Sequence, residues 1–287
     1  MKEFWRDLWQ DLQKNRGAFI GLILIALFVL MALVAPWVAP YAPDAVIDGA
    51  LRLPPGSEFQ GNYFVFGTDD IGRDLLSRLL YGSRVSMMVG LSVVFLAASL
   101  GTALGLFAGY FGGWLDRVIS RSMDFIMALP SVLFAIVIVA VLGPGLLNAV
   151  VAVSIVALPN FVRLIRAQVI IERNKQYVQA ATLYGAGPMR ILFREILPNC
   201  VAPLIVQASL GFSDGVLNCA ALGFLGLGAQ APTPEWGTML SDARSYIESS
   251  PWMVNLPGLC ILIVVLSFNL LGDGLRDALD PRLKNRS

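Results

Sequence analysis

Histidine is absent from the 287 residues of this chain, and only 14% of the residues are charged. The lack of histidine excludes the Ser-His-Asp triad, the HExxH zinc site and general acid–base catalysis by imidazole. No GxxxxGK[ST] sequence is present, so the chain lacks the usual loop for the phosphates of ATP. Soluble domains carry about 25% charged residues, so this chain has too little polar surface for a protein surrounded by water.

Cysteine is also scarce. Cys200, Cys219 and Cys260 each lie in or beside an apolar segment and form no CxxC pair. We therefore interpret them as small buried side chains rather than as disulfide partners or metal ligands. The net charge of +1 gives no general attraction to nucleic acid. We expect neither a metal site nor a nucleic-acid partner.

Long apolar runs dominate what is present, since 56% of the residues are hydrophobic. Six such runs occupy roughly residues 17–39, 84–111, 122–143, 146–165, 199–228 and 253–272. A helix rises about 1.5 Å per residue, so runs of this length can cross a bilayer, whereas open sheet edges cannot face lipid. The sequence predicts an all-α membrane protein with six transmembrane helices. The first run is longer than the apolar part of a signal peptide, so we expect it to be retained.

The distribution of basic residues predicts the orientation of the helices. If the amino terminus is cytoplasmic, sixteen of the 21 lysines and arginines fall in cytoplasmic segments. The other five lie on the outer side: Arg52, Arg73, Arg78, Arg84 and Arg244. Cytoplasmic loops carry an excess of lysine and arginine, and adding or removing one span would scramble this alternation. Both termini are therefore predicted to be cytoplasmic.

The order of the spans suggests three parts. Residues 1–83 hold an interfacial helix, the first span and an outer loop. Residues 84–274 hold the other five spans and a cytoplasmic loop at about 163–198, and residues 275–287 form a cytoplasmic tail. The interfacial helix is predicted from an aromatic and apolar stripe, which is typical of helices at a membrane surface. The stripe comprises Phe4, Trp5, Leu8, Trp9 and Leu12.

The cytoplasmic loop is the most basic part of the chain, and residues 177–198 read YVQAATLYGAGPMRILFREILP. Gly185 and Gly187 favour the end of one helix, and Pro188 suits the first turn of another. A second helix up to about Leu197 would place four apolar residues on one face. These are Met189, Leu192, Phe193 and Ile196. Such a helix lies either on the membrane surface or against a partner protein.

This segment resembles the EAA loop of ABC import permeases, whose pattern is Glu-Ala-Ala, three residues, Gly, nine residues and then x-x-Leu-Pro. The matching residues here are Gln179, Ala180, Ala181, Gly185, Leu197 and Pro198. The resemblance implies that the loop docks on a separate ATPase subunit, and we expect Met189, Leu192 and Phe193 to take part. Gln179 replaces the usual glutamate, so an amide hydrogen bond would replace a charge contact there.

Two further segments indicate a branch of that family. Residues 66–86, which begin FGTDDIGRDLLSR, look like the segment before the second span in oligopeptide, dipeptide and nickel permeases. Residues 220–237, AALGFLGLGAQAPTPEWG, look like the end of the fifth span and the following outer loop of the same group. Cys219-Ala-Ala-Leu-Gly is most similar to the C-type subunits of dipeptide permeases.

The resemblance implies the transmembrane domain of a type I ABC importer, with no catalytic residues of its own. A paralogous permease would complete a heterodimer embedded in membrane lipid, and two ATPase subunits would bind ATP and Mg. An extracytoplasmic binding protein would deliver a dipeptide or another short peptide. A nickel or oligopeptide permease subunit is the alternative within the family. An ion-gradient-driven secondary transporter is the alternative from another class, although the sequence shows no internal repeat.

Asp214 is an acidic residue near the middle of the fifth apolar run, close in sequence to Ser213 and Asn218. A carboxylate at bilayer depth costs about 2.5–3.5 kcal/mol. It should therefore face a polar transport path, where it could meet the ammonium group of a peptide, or a buried partner group. Both interpretations remain open.

Four residues on the outer side are candidate contacts for a binding protein. Asp70 and Arg73 belong to a cluster of charges that could equally form structural ion pairs at the start of a helix. Glu235 and Trp236 follow the fifth span and lie on the same side of the membrane.

Overall fold

The structure, a computed structural model, describes residues 12–279, and its regular structure is almost entirely helical. Five helices form the first part: α1 (Arg16–Val38), α2 (Leu75–Phe111), α3 (Gly113–Met127), α4 (Ser131–Leu142) and α5 (Leu146–Glu172). The second part contains α6 (Gln176–Leu183), α7 (Pro188–Arg190), a π-helical segment (Ile191–Ile196), α8 (Leu197–Phe224), α9 (Trp236–Ala243), a 3₁₀ turn (Arg244–Tyr246) and α10 (Trp252–Leu279).

The six predicted spans are confirmed. Within the described residues, five helices are long and apolar enough to cross a membrane: α1, α2, α5, α8 with the turns before it, and α10. The consecutive helices α3 and α4 make the sixth crossing if they count as one span. The predicted interfacial stripe lies outside the described residues except for Leu12, which is buried against Leu275 and Ala278.

The third span is a bent pair rather than a single helix. The axes of α3 and α4 differ by 98°, and the break lies at Pro130. Proline has no backbone N–H and disfavours helical geometry in the residue before it, which accounts for the break. Asp124 in α3 pairs with Arg163 of α5 at 2.6 Å, which links the bent pair to the neighbouring span.

Helices α2 and α5 form the most extensive helix pair among the described residues. Gly101, Gly105 and Gly109 lie along one face of α2, directly against the backbone and side chains of α5. A Cβ atom at Gly105 would lie 2.8 Å from the Cβ of Ile165. Small residues let two membrane helices approach closely and gain van der Waals contact, so α2 and α5 behave as one packed unit.

The outer loop is more regular than predicted. It contains an antiparallel hairpin of β1 (Ser57–Phe59) and β2 (Asn62–Phe64). Gln60 and Gly61 between the strands both have positive φ angles, which is the geometry of a tight hairpin turn. The loop ends at Asp74, whose carboxylate accepts the N–H of Ser77 at 2.7 Å and caps α2. Because of this cap, α2 begins nine residues before the predicted start of its span.

Candidate functional site

The chain between α5 and α8 folds into a compact turn at the cytoplasmic end of the bundle. Val178 on α6 is buried in an apolar cluster that also contains Val169 of α5 and Ile191 and Ile196 before α8. Gly185 has a φ of +80°, which lets the chain reverse directly after α6 at little steric cost. The cluster therefore holds α6 against the ends of both neighbouring spans.

A π-helical turn connects α7 to α8. The N–H of Leu197 donates to the carbonyl of Leu192, five residues earlier instead of four. The ring of Pro198 would clash with the carbonyl of Arg194 in a regular α-helix, and the wider turn gives it room. π-helical turns are rare and are frequently found at functional sites.

The wider turn changes which side chains share a face. Leu192 and Ile196 are fully buried, whereas Met189 and Phe193 are 53% and 51% exposed. The prediction of one apolar face with all four residues is therefore wrong. It assumed 3.6 residues per turn, and a π turn is wider. In this structure Leu192 belongs to the core of the turn and not to its outer surface.

Four large side chains on this cytoplasmic turn are exposed: Leu183, Tyr184, Met189 and Phe193. We call them the cytoplasmic patch. Leu183 and Tyr184 are 88% and 92% exposed. These two residues were not among the predicted coupling residues, although two large side chains directly before a helix-ending glycine were a usable signal. Gly185 separates the two halves of the patch along the chain.

The other residues of the EAA-like motif lie on the same turn. Gln179, Ala180 and Pro198 are exposed, and Ala181 and Leu197 are half-buried. The Gln179 amide donates to the backbone carbonyl of Asn174 at 3.3 Å. This side chain is therefore engaged locally by an amide hydrogen bond.

A polar cluster between α6 and the ends of its neighbouring spans is centred on Tyr177, which is 37% exposed. Its hydroxyl donates to the Glu172 carboxylate at 2.5 Å and accepts from the Asn199 amide at 3.1 Å. Lys175 donates to the other oxygen of Glu172 at 2.7 Å. Burial, followed by the adjacent Glu172 carboxylate, raises the pKa of Tyr177, so the phenol stays protonated and remains a donor.

A cavity of about 380 Å³ lies within the bundle at the bend between α3 and α4. Its polar lining includes Asn160, Gln207, Asp214 and Asn218. The structure thus brings two of the predicted path residues, Asp214 and Asn218, to the same cavity. Ser213 does not line it, because its hydroxyl is buried and donates to the carbonyl of Val265 at 3.1 Å.

A second cavity, of about 470 Å³, lies between α5, α8 and α10. Gln207 lines both cavities, so they adjoin at this residue. The polar side chains of the second cavity also include Gln168 and Arg276. The two cavities lie one after the other along α8, and both have partly polar linings.

Buried ion pairs hold the outer loop against α2 and α9. Arg73 pairs with Asp69 at 2.5 Å and approaches Asp242 at 3.8 Å, and Arg78 approaches Asp69 at 3.5 Å. Arg73 is almost fully buried. Asp70 is half-buried, and burial followed by the neighbouring Asp69 carboxylate raises its pKa. One Asp70 carboxylate oxygen is buried without a hydrogen-bond partner among the described residues.

Glu235 and Trp236 are both buried at the start of α9. The Glu235 carboxylate accepts the N–H groups of Gly237 and Thr238 at 2.8 and 2.9 Å, and burial raises its pKa. Trp236 is fully buried and its indole N–H donates to the carbonyl of Leu79 at 3.3 Å. Of the four predicted outer contacts, only Asp70 is more than marginally exposed in this conformation.

Two family models match the chain. The model described as "Binding-protein-dependent transport system inner membrane component" matches residues 101–285. The model described as "N-terminal TM domain of oligopeptide transport permease C" matches residues 3–55. The first match covers the cytoplasmic turn and both cavities.

Curated relatives extend over nearly the whole chain. The chain is 55% identical to the di/tripeptide transport system permease protein DppC of Pseudomonas aeruginosa strain UCBPP-PA14, over 98% of this chain and 93% of that protein. It is 54% identical to the dipeptide transport system permease protein DppC of Escherichia coli K12, over 97% and 93%. The glutathione transport system permease protein GsiD of Escherichia coli O6:K15:H31 is 41% identical, over 98% and 91%.

Solved structures support the fold. An inward-facing structure of the MetNI methionine ABC transporter contains a chain that superposes with a TM-score of 0.58. The sequence identity is 20%, and the match covers 72% of this chain and 98% of the other. At this identity the likeness concerns the fold alone, which is that of a type I importer permease.

The family description, the relatives and the apolar helices agree on a multi-pass protein of the cytoplasmic membrane with a transport role rather than an enzymatic one. A binding-protein-dependent ABC system also implies a substrate-binding protein and an ATPase as partners. The chain belongs to the family of binding-protein-dependent transport system inner membrane components.

Proposed function

We propose that this chain forms half of the path by which dipeptides or other short peptides enter the cytoplasm in an ATP-driven importer. The relatives named for dipeptide and di/tripeptide transport support this substrate class, because they are 54–55% identical over nearly the full chain. The lower identity of 41% to the glutathione permease favours the same assignment. The alternative of a nickel or oligopeptide subunit requires a different substrate in the same path.

The cytoplasmic patch is the observation that carries the coupling role. Its four large side chains are exposed within one short segment, and large exposed apolar surfaces usually mark sites where a partner binds. Leu183 and Tyr184 lie on a turn beyond the ends of the spans, at the cytoplasmic end of the bundle. We assign this surface to contact with an ATPase subunit. ATP and Mg would bind to two such subunits and not to this chain.

The intramembrane cavity supports the transport path. Asp214 and Asn218 supply polar groups where the bilayer would supply none, and Asp214 has no cationic partner among the described residues. A carboxylate at this depth requires water or a cationic group, and the ammonium group of a peptide is such a cation. A paralogous permease in a heterodimer would close the open side of this cavity.

The outer surface would receive the binding protein. Asp70 is the one predicted contact that remains accessible, and its buried oxygen lacks a hydrogen-bond partner among residues 12–279. Buried ion pairs and hydrogen bonds beneath that surface involve Arg73, Glu235 and Trp236. We propose that these three position the outer loop and that Asp70 contributes to the contact.

The double substitution of Leu183 and Tyr184 by alanine tests the coupling role. Both side chains are exposed, so the change should leave membrane insertion and thermal stability unaltered. Burial of a leucine and a tyrosine contributes roughly 1.5–3 kcal/mol each, so the ATPase subunit should be lost during affinity purification. Leu147→Ala is the matched control, because Leu147 is 76% exposed at the other end of α5.

Full retention of the ATPase by the double variant would contradict the docking assignment. Loss of the ATPase from the Leu147→Ala control would show that the purification itself is disruptive. If the purified chain alone takes up peptide in response to an ion gradient and without nucleotide, the protein is a secondary transporter and not a subunit of an ATP-driven importer.

A further inference from the structure

Tyr177 is the one described residue of α6 whose side chain forms hydrogen bonds with both adjoining spans. Its hydroxyl donates to Glu172, the last residue of α5, at 2.5 Å. The same oxygen accepts from Asn199, the third residue of α8, at 3.1 Å. The second hydrogen of the Asn199 amide goes to the carbonyl of Glu195 in the π turn, at 2.7 Å.

These hydrogen bonds differ in kind from the neighbouring apolar contact. Val178, the next residue, fills a cluster of buried aliphatic side chains. Burial of that kind is non-directional, so it holds α6 in place without fixing its rotation. Hydrogen bonds depend steeply on distance and angle, and one to a carboxylate is stronger than a neutral one. The phenol therefore fixes the position of α6 relative to both spans.

We infer that Tyr177 is the positioning residue through which movement of α6 reaches α5 and α8 together. The inference rests on the proposed docking of the cytoplasmic patch, since the ATPase has to move α6. A shift of α6 displaces the phenol oxygen, and both bonded partners must follow or the bonds break. Without the hydroxyl, Val178 still holds α6 in the apolar cluster, but movement of α6 no longer displaces α5 and α8. ATP hydrolysis then proceeds while the transport path stays closed.

Tyr177→Phe in the assembled importer is the test, with Tyr110→Phe as the matched control. Tyr110 is a half-buried tyrosine at the same end of the molecule, and its hydroxyl forms no hydrogen bond with the described residues. The importer is reconstituted in proteoliposomes with its binding protein and a labelled dipeptide. Three quantities are measured: ATPase subunits retained on purification, ATP hydrolysed, and dipeptides imported per ATP.

We expect Tyr177→Phe to retain the ATPase subunits and basal hydrolysis, while dipeptides imported per ATP fall about tenfold, in line with the loss of one charge-assisted hydrogen bond. Asn199→Ala keeps the bond to Glu172 but removes the link to α8, so it should lower the same ratio by a smaller factor. Tyr110→Phe should match the unmodified importer.

An unchanged ratio in Tyr177→Phe overturns the inference. Loss of the ATPase subunits from this variant also overturns it, because Tyr177 would then be a docking residue. If Tyr177→Phe does not reach the membrane, the Asn199→Ala ratio decides in its place. Failure of the docking proposal can be distinguished from failure of this inference, because docking is tested by ATPase retention in the Leu183 and Tyr184 double variant.

Discussion

Leu192 and Phe193 are adjacent in the chain, but we expect their truncation to alanine to have different effects. Leu192→Ala should lower the stability of the fold, and Phe193→Ala should weaken docking of the ATPase. Leu192 is fully buried between α6 and the ends of α2 and α5. Phe193 is 51% exposed and belongs to the cytoplasmic patch. The π-helical turn produces this division, so the two variants test the local geometry as well as the docking surface.

The magnitudes follow from the burial of each side chain. Leucine-to-alanine changes in a packed core cost about 2–5 kcal/mol of stability, and Leu192 is completely enclosed. Phe193 has roughly 100 Å² of surface left to bury, because a phenylalanine covers about 150–250 Å² in all. At about 25 cal/mol per Å², and allowing for the area that alanine retains, its loss weakens docking by roughly 1.5–2 kcal/mol. That corresponds to about a 10–30-fold lower affinity.

Thermal unfolding in detergent and titration with the ATPase subunit separate the two effects. Leu192→Ala should unfold at a clearly lower temperature, and any folded fraction should bind the ATPase with nearly normal affinity. Phe193→Ala should unfold close to the unmodified temperature but bind more weakly. Equal destabilisation by both variants would refute the assignment of faces, and so would weaker binding caused by Leu192→Ala in protein that is fully folded.

Two further predictions concern the membrane part. Asp214→Asn preserves the size of the side chain but removes its charge, so uptake of a dipeptide by the reconstituted importer should fall about tenfold; uptake at the unmodified rate would favour a structural role for Asp214. Gly105→Val should lower the unfolding temperature and the yield of folded protein, because its Cβ would lie 2.8 Å from Ile165 and overpacking costs about 1–3 kcal/mol. Gly258→Ala is the control, because the nearest atom to a Cβ added at Gly258 is 3.9 Å away. We expect its stability to be unchanged.

The number of spans and their orientation could be predicted from the sequence because both depend on composition over long windows. Hydrocarbon excludes unpaired backbone groups and charges, so apolar runs and the lysine and arginine bias carry the information directly. The starts of helices were less predictable. Asp74 caps α2 and Glu235 caps α9, and each cap depends on a few residues in an otherwise irregular loop.

The exposed residues of the cytoplasmic turn were harder to predict, because the wider π-helical turn changes which side chains are buried and which are exposed. Periodicity of 3.6 placed Leu192 beside Phe193 on a docking surface, and the π turn buries one and exposes the other. The outer contacts were unpredictable for a different reason. Glu235 and Trp236 are polar or amphipathic residues in a loop, but Gly82 and Gly223 leave room for them inside the bundle.

Helix α8 connects the two functional regions of the chain. Asn199 at its start contacts Tyr177, and Asp214 lies fifteen residues further along the same helix, a rise of about 22 Å. The glycine row of α2 locks that helix to α5, so these two resist relative movement. α8 packs closely on them at two glycines: a Cβ atom added at Gly211 would lie 3.1 Å from the ring of Phe161, and one added at Gly215 would lie 3.1 Å from Val93. Gly211, Gly215 and Asp214 all line the first cavity, so we expect a displacement of Asn199 that is carried along α8 to change the width of this cavity.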